Sequence, residues 1–502
     1  MSSTHAESTQ ATSGAIHANR LFTASCLSLI STSVAFAVVG DIMNALKTQF
    51  ILTNQQVGWI GGAALWGFTL SIIVLGPLCD VLGMRNLLRF SFLCHLAGPL
   101  IMMFAPGFTL LFVGALVIAL GNGTVEAACN PLVATLYPNN KTTKLNQFHV
   151  WFPGGIVLGC LACFLLSMIG ISSWKLRLGL ILLPTLVYGF LFLGQKFPLT
   201  ERVQSGVSFG GMIAATLTRP LFIVLFLCMG LTASLELGPN RWITSILQSG
   251  GMHGILVLAW ISGLMAVLRF FAGPIIHRLS STGVLLGSSV LAGLGLFGLS
   301  YANTMTVALA TATVFAFGVC YFWPTMLGVV AERVPKGGAL ALAMMGGMGM
   351  LASGMIASPQ LGRIADNHLL ERLDTTRTLS VLEAAAVQLP KIQAAAPEAQ
   401  RKDFDPFFAD VTNALALTAK NAGALTPDTA KALRAIIGAA SSVPKADDAT
   451  KKLLGDTTSL LGPADNYGGR MAFRIFAPFA LILVVVFSIL FVRDRMTARR
   501  PA

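Results

Sequence analysis

The chain has 502 residues, 55% of them hydrophobic and only 11% charged, with a mean hydropathy of +0.74. Soluble domains carry about 25% charged residues, so a soluble enzyme is excluded. The formal net charge of +13 is scattered between long apolar runs, which argues against a nucleic-acid surface and for a polytopic membrane protein oriented by its loop charges.

Residues 1–19 are a polar tail with no basic stretch leading into a short apolar core, so no removable signal peptide is expected. Crossing a bilayer takes about 20 mostly apolar residues per helix. Twelve stretches qualify: 20–45, 56–78, 87–105, 108–136, 146–169, 176–195, 220–238, 254–276, 283–301, 304–331, 338–363 and 471–492. Pro131, Pro153 and Pro324 fall inside them, which membrane helices tolerate where neighbours re-satisfy the freed backbone groups. With both termini inside, the inner segments hold fifteen basic residues, Arg85, Arg89, Lys141, Lys144 and Arg333 among them. The short outer loops then hold four: Lys47, Lys175, Arg177 and Arg241. Both termini are therefore expected in the cytoplasm, with the chain in a bacterial inner membrane or a plasma membrane.

The chain divides into a tail (1–19), a six-helix bundle (20–195), a cytoplasmic linker (196–219), spans seven to eleven (220–365), an insert (366–469), the last span (470–492) and a second tail (493–502). The Ala-rich insert holds 13 of the 21 acidic residues and follows an odd number of spans, so it is expected outside the cytoplasm. Thr426-Pro427-Asp428 is a helix start, and 378–389, 407–420 and 449–461 are helix-like. A small helical subdomain or a partly ordered extension is expected; the alternative is a tolerated loop insertion without function. The remaining 398 residues repeat. Gly76-Pro77-Leu78, with Gly83 behind it, recurs as Gly273-Pro274-Ile275, with Gly283 behind it; the triplets are offset by 197, as are Pro138 and Pro335. Two related halves place a site between them near the midplane.

The most specific motif is GPLCDVLGMRNLL at 76–88. Gly76 and Gly83 permit close backbone approach, Asp80 can accept hydrogen bonds, and Arg85 can pair with a carboxylate. Such charges at a helix junction can latch one conformation and release another. The segment resembles motif A of the major facilitator superfamily at every fixed position. The resemblance implies a major facilitator fold: all-α, twelve membrane helices in two six-helix pseudo-repeats, here with a helical insert before the last helix.

The second signal is GNGTVEAACNPLVATLYPNNKTTKLNQFHVWFPGG at 121–155. Asn122, Glu126 and Asn130 share one helical face at i, i+4 and i+8, as do Asn146 and His149 at i and i+3. An intramembrane glutamate is costly and marks function by default; the alternative is a structural carboxylate bonded to a neighbouring helix. With Leu145-Asn146, Gly155, Asp41 and Leu52-Thr53-Asn54, this stretch resembles the fucose permease branch of sugar–proton symporters. That resemblance implies proton coupling by Glu126 and Asp41. It departs at His149, where the branch has a sugar-contacting glutamine, and at Phe152, where it has an asparagine.

Glu236, with Asn240 and Trp242, is placed at the outer end of span seven, where it could bind substrate or close a gate. Arg269 is read as a packing and snorkelling residue near the cytoplasmic face. Tyr321 and Trp323 could stack on a sugar ring, though aromatic clusters in bundles more often pack. The run GGMGMLASG at 346–354 is a hinge candidate. The eight cysteines lie in or beside apolar segments without metal-ligand spacing, and no Walker A sequence, metal cluster or catalytic triad is present. The leading expectation is a monomeric, non-enzymatic secondary transporter. It would carry a small polar solute, a sugar, by proton-coupled alternating access, with no cofactor beyond the coupling proton and no nucleic-acid partner. The expected substrate-contacting residues are Asn122, Asn130, Asn146, His149, Glu236, Asn240, Tyr321 and Trp323. The alternatives are a facilitator or exporter of another metabolite, or a membrane sensor or assembly protein using the insert.

Overall fold

The computed structural model describes residues 16–498 except 51–53, 172, 205, 207, 396–400, 402–403, 422, 442 and 444–445, and among the described residues every regular element is helical. The N-terminal half comprises α1 (Ala18–Phe50), α2 (Asn54–Leu82), α3 (Met84–Met103), α4 (Phe108–Leu136), α5 (Lys141–Met168) and α6 (Trp174–Phe192). Two short linker helices, Glu201–Gln204 and Phe209–Leu217, lead to the second half. There follow α7 (Pro220–Ser249), α8 (Gly254–Phe270 and Ala272–Leu279), α9 (Ser281–Leu299), α10 (Met305–Arg333) and α11 (Pro335–Arg372). Three insert helices, α12 (Thr375–Ala395), α13 (Asp405–Lys420) and α14 (Pro427–Ser441), precede α15 (Asp448–Met496). Eleven of these are long and apolar enough to cross a membrane, and the two arms of α8, bent by 66°, make the twelfth span. Their long apolar side chains face outward, as lipid requires: Leu183, Phe190, Leu294 and Ile489 are all exposed.

The backbone corrects one detail of the repeat. Gly83 turns the chain between α2 and α3 at φ 78°, and Ser280, offset by 197, does the same between α8 and α9 at φ 67°. Ser280, not Gly283, is therefore the counterpart of Gly83. It is the one described non-glycine residue with positive φ, and this conformation costs a side-chain-bearing residue roughly 1–3 kcal/mol. Its hydroxyl recovers part of that by accepting the Gly283 amide at 3.3 Å. Ser280→Gly is expected to raise thermal stability by about 1 kcal/mol, since glycine at an N-cap costs only a few tenths; an unchanged or lower unfolding midpoint would contradict this.

The insert is folded around a core of its own. Leu369, Leu382, Leu389, Leu433, Ile436 and Leu461, drawn from α11, α12, α14 and α15, bury together. Pro427 opens α14 in the first turn, where its missing N–H costs nothing. Asp447 caps α15 by accepting the Thr450 amide at 2.8 Å; hydrogen bonds from Thr450 hold this carboxyl below the usual carboxylate range. Arg434 ties α14 to Asp366 of α11 (2.8 Å) and Asp465 of α15 (2.6 Å). Segment 449–461 is thus no separate element: α15 rises from the insert and continues as the last span, with no boundary at 469–470. The base of the insert seats on the C-terminal half through Asn466, which donates to the Ile246 carbonyl at 2.7 Å, and Arg470, which donates to the Ala302 carbonyl at 3.2 Å.

That anchoring decides where the insert can be cut. Joining Arg363 to Arg470 would remove Asn466 and the packing of Gly468 against Ala365. Joining Leu373 to Leu461 through a short Gly/Ser linker spares both, and loop closure adds little cost. The shortened protein is expected to insert and to retain most transport, read as uptake at matched expression. A folded variant with no uptake would place the insert in the mechanism.

Candidate functional site

A cavity lies between the halves, walled by Phe36, Phe68, Glu126, His149 and Phe152 on one side and Glu236, Leu237, Arg269, Trp323 and Met350 on the other. Its walls are mostly aromatic or apolar, and its polar groups come from both halves. On the N-terminal side Asn130 donates to Glu126 Oε2 at 2.6 Å. His149 Nε2 lies 3.1 Å from Asn130 Oδ1 and 3.7 Å from Glu126 Oε2. An amide oxygen only accepts, so Nε2 carries the proton toward Asn130. Glu126, Asn130 and His149 are each 3% exposed or less, so the carboxylate is held by one amide and backed by one imidazole.

The opposing side holds what the sequence reading missed. Arg269 is 2% exposed and donates three ways: Nη2 to Glu236 Oε1 at 3.0 Å, Nη1 to the His149 carbonyl at 3.1 Å, and Nε to the Cys320 carbonyl at 2.5 Å. The reason lies in the prolines. In a helix the His149 carbonyl would accept from residue 153 and the Cys320 carbonyl from residue 324, and both are prolines, which have no N–H. α5 and α10 break at these points, α8 bends at Phe271 just after Arg269, and one guanidinium captures both freed carbonyls. Arg269 is therefore a central, cross-half residue and does not snorkel. Glu236 also moves from its expected place: α7 continues through Pro239 to Ser249, so Glu236 sits in mid-helix on the cavity, not at an outer end.

The other expected residues fall in different places. Trp323 lines the cavity, with Gly349 of α11 against its ring. Tyr321 instead donates its hydroxyl to the Leu268 carbonyl at 2.8 Å, beside the α8 bend. Asn146 spans the halves below the cavity, donating to Thr325 Oγ1 at 3.1 Å. Asn240 is one turn from Glu236, with its side-chain oxygen buried and unpartnered among the described residues. Asp41 is not brought to Glu126; it is exposed and pairs with Arg177 of α6 at 2.5 Å. Asn122 lines a second cavity that shares Phe36 with the first and reaches Gly40, Met43 and Arg241. Behind it, unanticipated, His95 and Tyr188 are fully buried: His95 Nε2 lies 2.9 Å from Asn122 Oδ1 and Nδ1 lies 3.0 Å from the Tyr188 hydroxyl.

At the end bearing Arg85 and Lys141 the halves are sealed. Lys141 pairs with Glu201 of the linker at 2.6 Å and donates to the Ala331 carbonyl at 3.2 Å, while Thr142 donates to Glu332. Asp80 accepts from Thr200 of the linker, so the motif aspartate fastens the α2–α3 junction to the segment joining the halves; Arg85 is exposed. Gly76 lets α2 meet α11, because a Cβ there would lie 2.0 Å from that of Ala343. Gly76→Val is therefore expected to wedge this end open. Thr135→Cys, placed beside this seal in a background without the native cysteines, should react several-fold faster with a thiol reagent when the valine is present; equal rates would rule the wedge out.

A sequence model of the Major Facilitator Superfamily matches residues 21–359. Monosaccharide-sensing protein 2 of Arabidopsis thaliana is 30% identical over 182 residues, 36% of this chain and 25% of that protein. The D-xylose transporter of Levilactobacillus brevis is 28% identical over 158 residues, 31% of this chain and 34% of its own. The chain thus spans a quarter to a third of the length of these relatives. The fold is similar to the crystal structure of the E. coli fucose:proton symporter FucP, with TM-score 0.58, 19% identity, and coverage of 69% of this chain and 92% of that one.

Proposed function

The chain belongs to the Major Facilitator Superfamily, and on that premise we propose that it is a proton-coupled sugar transporter working by alternating access. A multi-pass membrane transporter of this superfamily is not an enzyme, so what needs explaining is solute choice and coupling. The observation that carries the reading is Glu126: a buried acid on the wall of the inter-half cavity whose nearest polar neighbours are Asn130 and His149, with no lysine or arginine in an ion pair with it among the described residues. Glu236 already has Arg269. Glu126 is then the charge that must be neutralised before the cavity is moved between the two sides, because a lone carboxylate in low dielectric costs several kcal/mol. A proton supplies that neutrality, and hydroxyl groups of a sugar would satisfy Glu126, Glu236 and Asn130, with Trp323 and Phe152 against the ring faces.

The basic-residue count supports an orientation with the sealed end and both termini in the cytoplasm and the insert outside. The arrangement then corresponds to an outward-facing state, its second cavity forming the approach to the first. The sugar assignment draws on the D-xylose transporter and the monosaccharide-sensing relative. The test is uptake of a panel of labelled sugars into proteoliposomes with and without an inward proton gradient. Gradient-dependent accumulation of at least one is expected. Downhill uptake without gradient dependence would make the protein a facilitator, and no counterflow for any solute would favour a sensor or assembly role.

A further inference from the structure

The two cavities differ in charge: carboxylates line the central one, and none lines the second. In the central one two carboxylates offer acceptor capacity, Glu126 and Glu236, the latter with Oε2 buried and unpartnered among the described residues, beside the remaining N–H groups of Arg269 and the indole N–H of Trp323. In the second cavity the two polar lining side chains are donors. An amide oxygen only accepts, so Asn122 Oδ1 takes the proton on His95 Nε2, His95 Nδ1 in turn accepts the Tyr188 hydroxyl, and the Asn122 amide nitrogen is what remains for the cavity. Arg241, from α7 across the cleft, lines the same cavity, and among the described residues no carboxylate pairs with it. The rest of that lining is apolar, including Phe36, which walls both cavities.

A guanidinium and an amide N–H facing one space from opposite halves make a receptor for an acceptor group carrying negative charge, and Arg suits a planar carboxylate best. Two carboxylates in the adjoining space receive hydroxyl donors. One molecule satisfies both cavities when it has a carboxylate at one end and hydroxyl groups along the rest. We propose that the preferred solute is a polyhydroxy monocarboxylate of the hexuronate class, with Arg241 as the residue that selects its carboxylate. This rests on the sugar-transport reading and narrows it. A neutral hexose leaves Arg241 without an anion, and an amino sugar brings a second cation beside it. The proposal also fits the coupling: an anion on Arg241 entering with a proton on Glu126 adds no net charge to the loaded protein.

The test uses the full-length protein in proteoliposomes and matched probes at pH 7: D-galacturonate with D-galactose, and D-glucuronate with D-glucose, each measured by counterflow. At least a tenfold preference for the acid over its hexose is expected in one pair. Arg241→Gln should collapse that preference at least tenfold, while Arg241→Lys, which keeps the charge, should retain most of it. That contrast separates selection from a folding defect. Hexose transport without preference for the acid, or a preference that survives Arg241→Gln, would overturn the inference and leave sugar transport standing. Counterflow of neither class would overturn both.

Discussion

Glu126→Gln is expected to lower gradient-driven accumulation at least 100-fold while counterflow exchange persists. The amide copies the shape and hydrogen-bonding capacity of the protonated acid but has no proton to release. Asn130 still has an oxygen to donate to, and the cavity keeps its volume, so solute binding and the passage of a loaded carrier survive. What is lost is the obligation to carry a proton. Accumulation and exchange measured on the same proteoliposomes separate the two effects. Equal loss of both would make Glu126 a structural acceptor, and wild-type accumulation would remove it from coupling altogether.

The second large effect belongs to Arg269. Arg269→Met strands Glu236 in the interior, and breaking a buried pair by removing one partner costs about 3–5 kcal/mol. It also strips donors from the His149 and Cys320 carbonyls, each loss costing about 1–3 kcal/mol. The variant is expected to unfold at a much lower temperature in detergent and to lose transport. Adding Glu236→Gln removes the stranded charge, so the double variant should recover the ion-pair part of the loss and no more. Arg269→Lys keeps a charge for Glu236 but cannot fork to two carbonyls from different helices, and should fall between. A single methionine variant as stable as wild type would show that water satisfies the proline-freed carbonyls.

The extent to which the sequence could be read follows from the range of the forces involved. Span positions and motif A are local: apolar length and glycine spacing fix them, and the matches are close. Helix ends misled wherever tertiary contacts override the local signal. Pro239 marks an end for α7 by ordinary rules, yet the helix runs through it, which is why the local signal sets Glu236 at an outer end while the fold sets it on the cavity. The Glu126–Asn130 pair was legible because its members are one turn apart, whereas the closure of His149 onto Asn130, 19 residues on, comes from the fold. The Arg269 cluster was not, since its partners lie 33, 51 and 120 residues away. A signal existed nonetheless. Pro153 and Pro324 each free a carbonyl four residues earlier, and a buried arginine in a third helix is the donor such a pair demands. Asp41 is the reverse case: similarity points to it, and its partner Arg177, 136 residues away, emerges only from the fold. His95 carried no motif and emerges only from its contacts.

The continuous passage of α15 from insert to span makes the insert a mechanical lever. At 1.5 Å per residue, the 29 residues from Asp448 to Phe476 extend about 44 Å. The insert helices are welded to this rod and to α11 by a shared core and by Arg434, and the base is seated on α7 and the α9–α10 turn, so the whole unit rides on the C-terminal half. A tilt of that half by roughly 10° about Phe476 sweeps the far tip through about 8 Å at this arm length. Under the proposed alternating-access cycle, such a tilt would be amplified into a stroke beyond the membrane-spanning helices. A spin or fluorescent label near Asp448, paired with one on the N-terminal half, would give a direct read-out of which way the carrier faces.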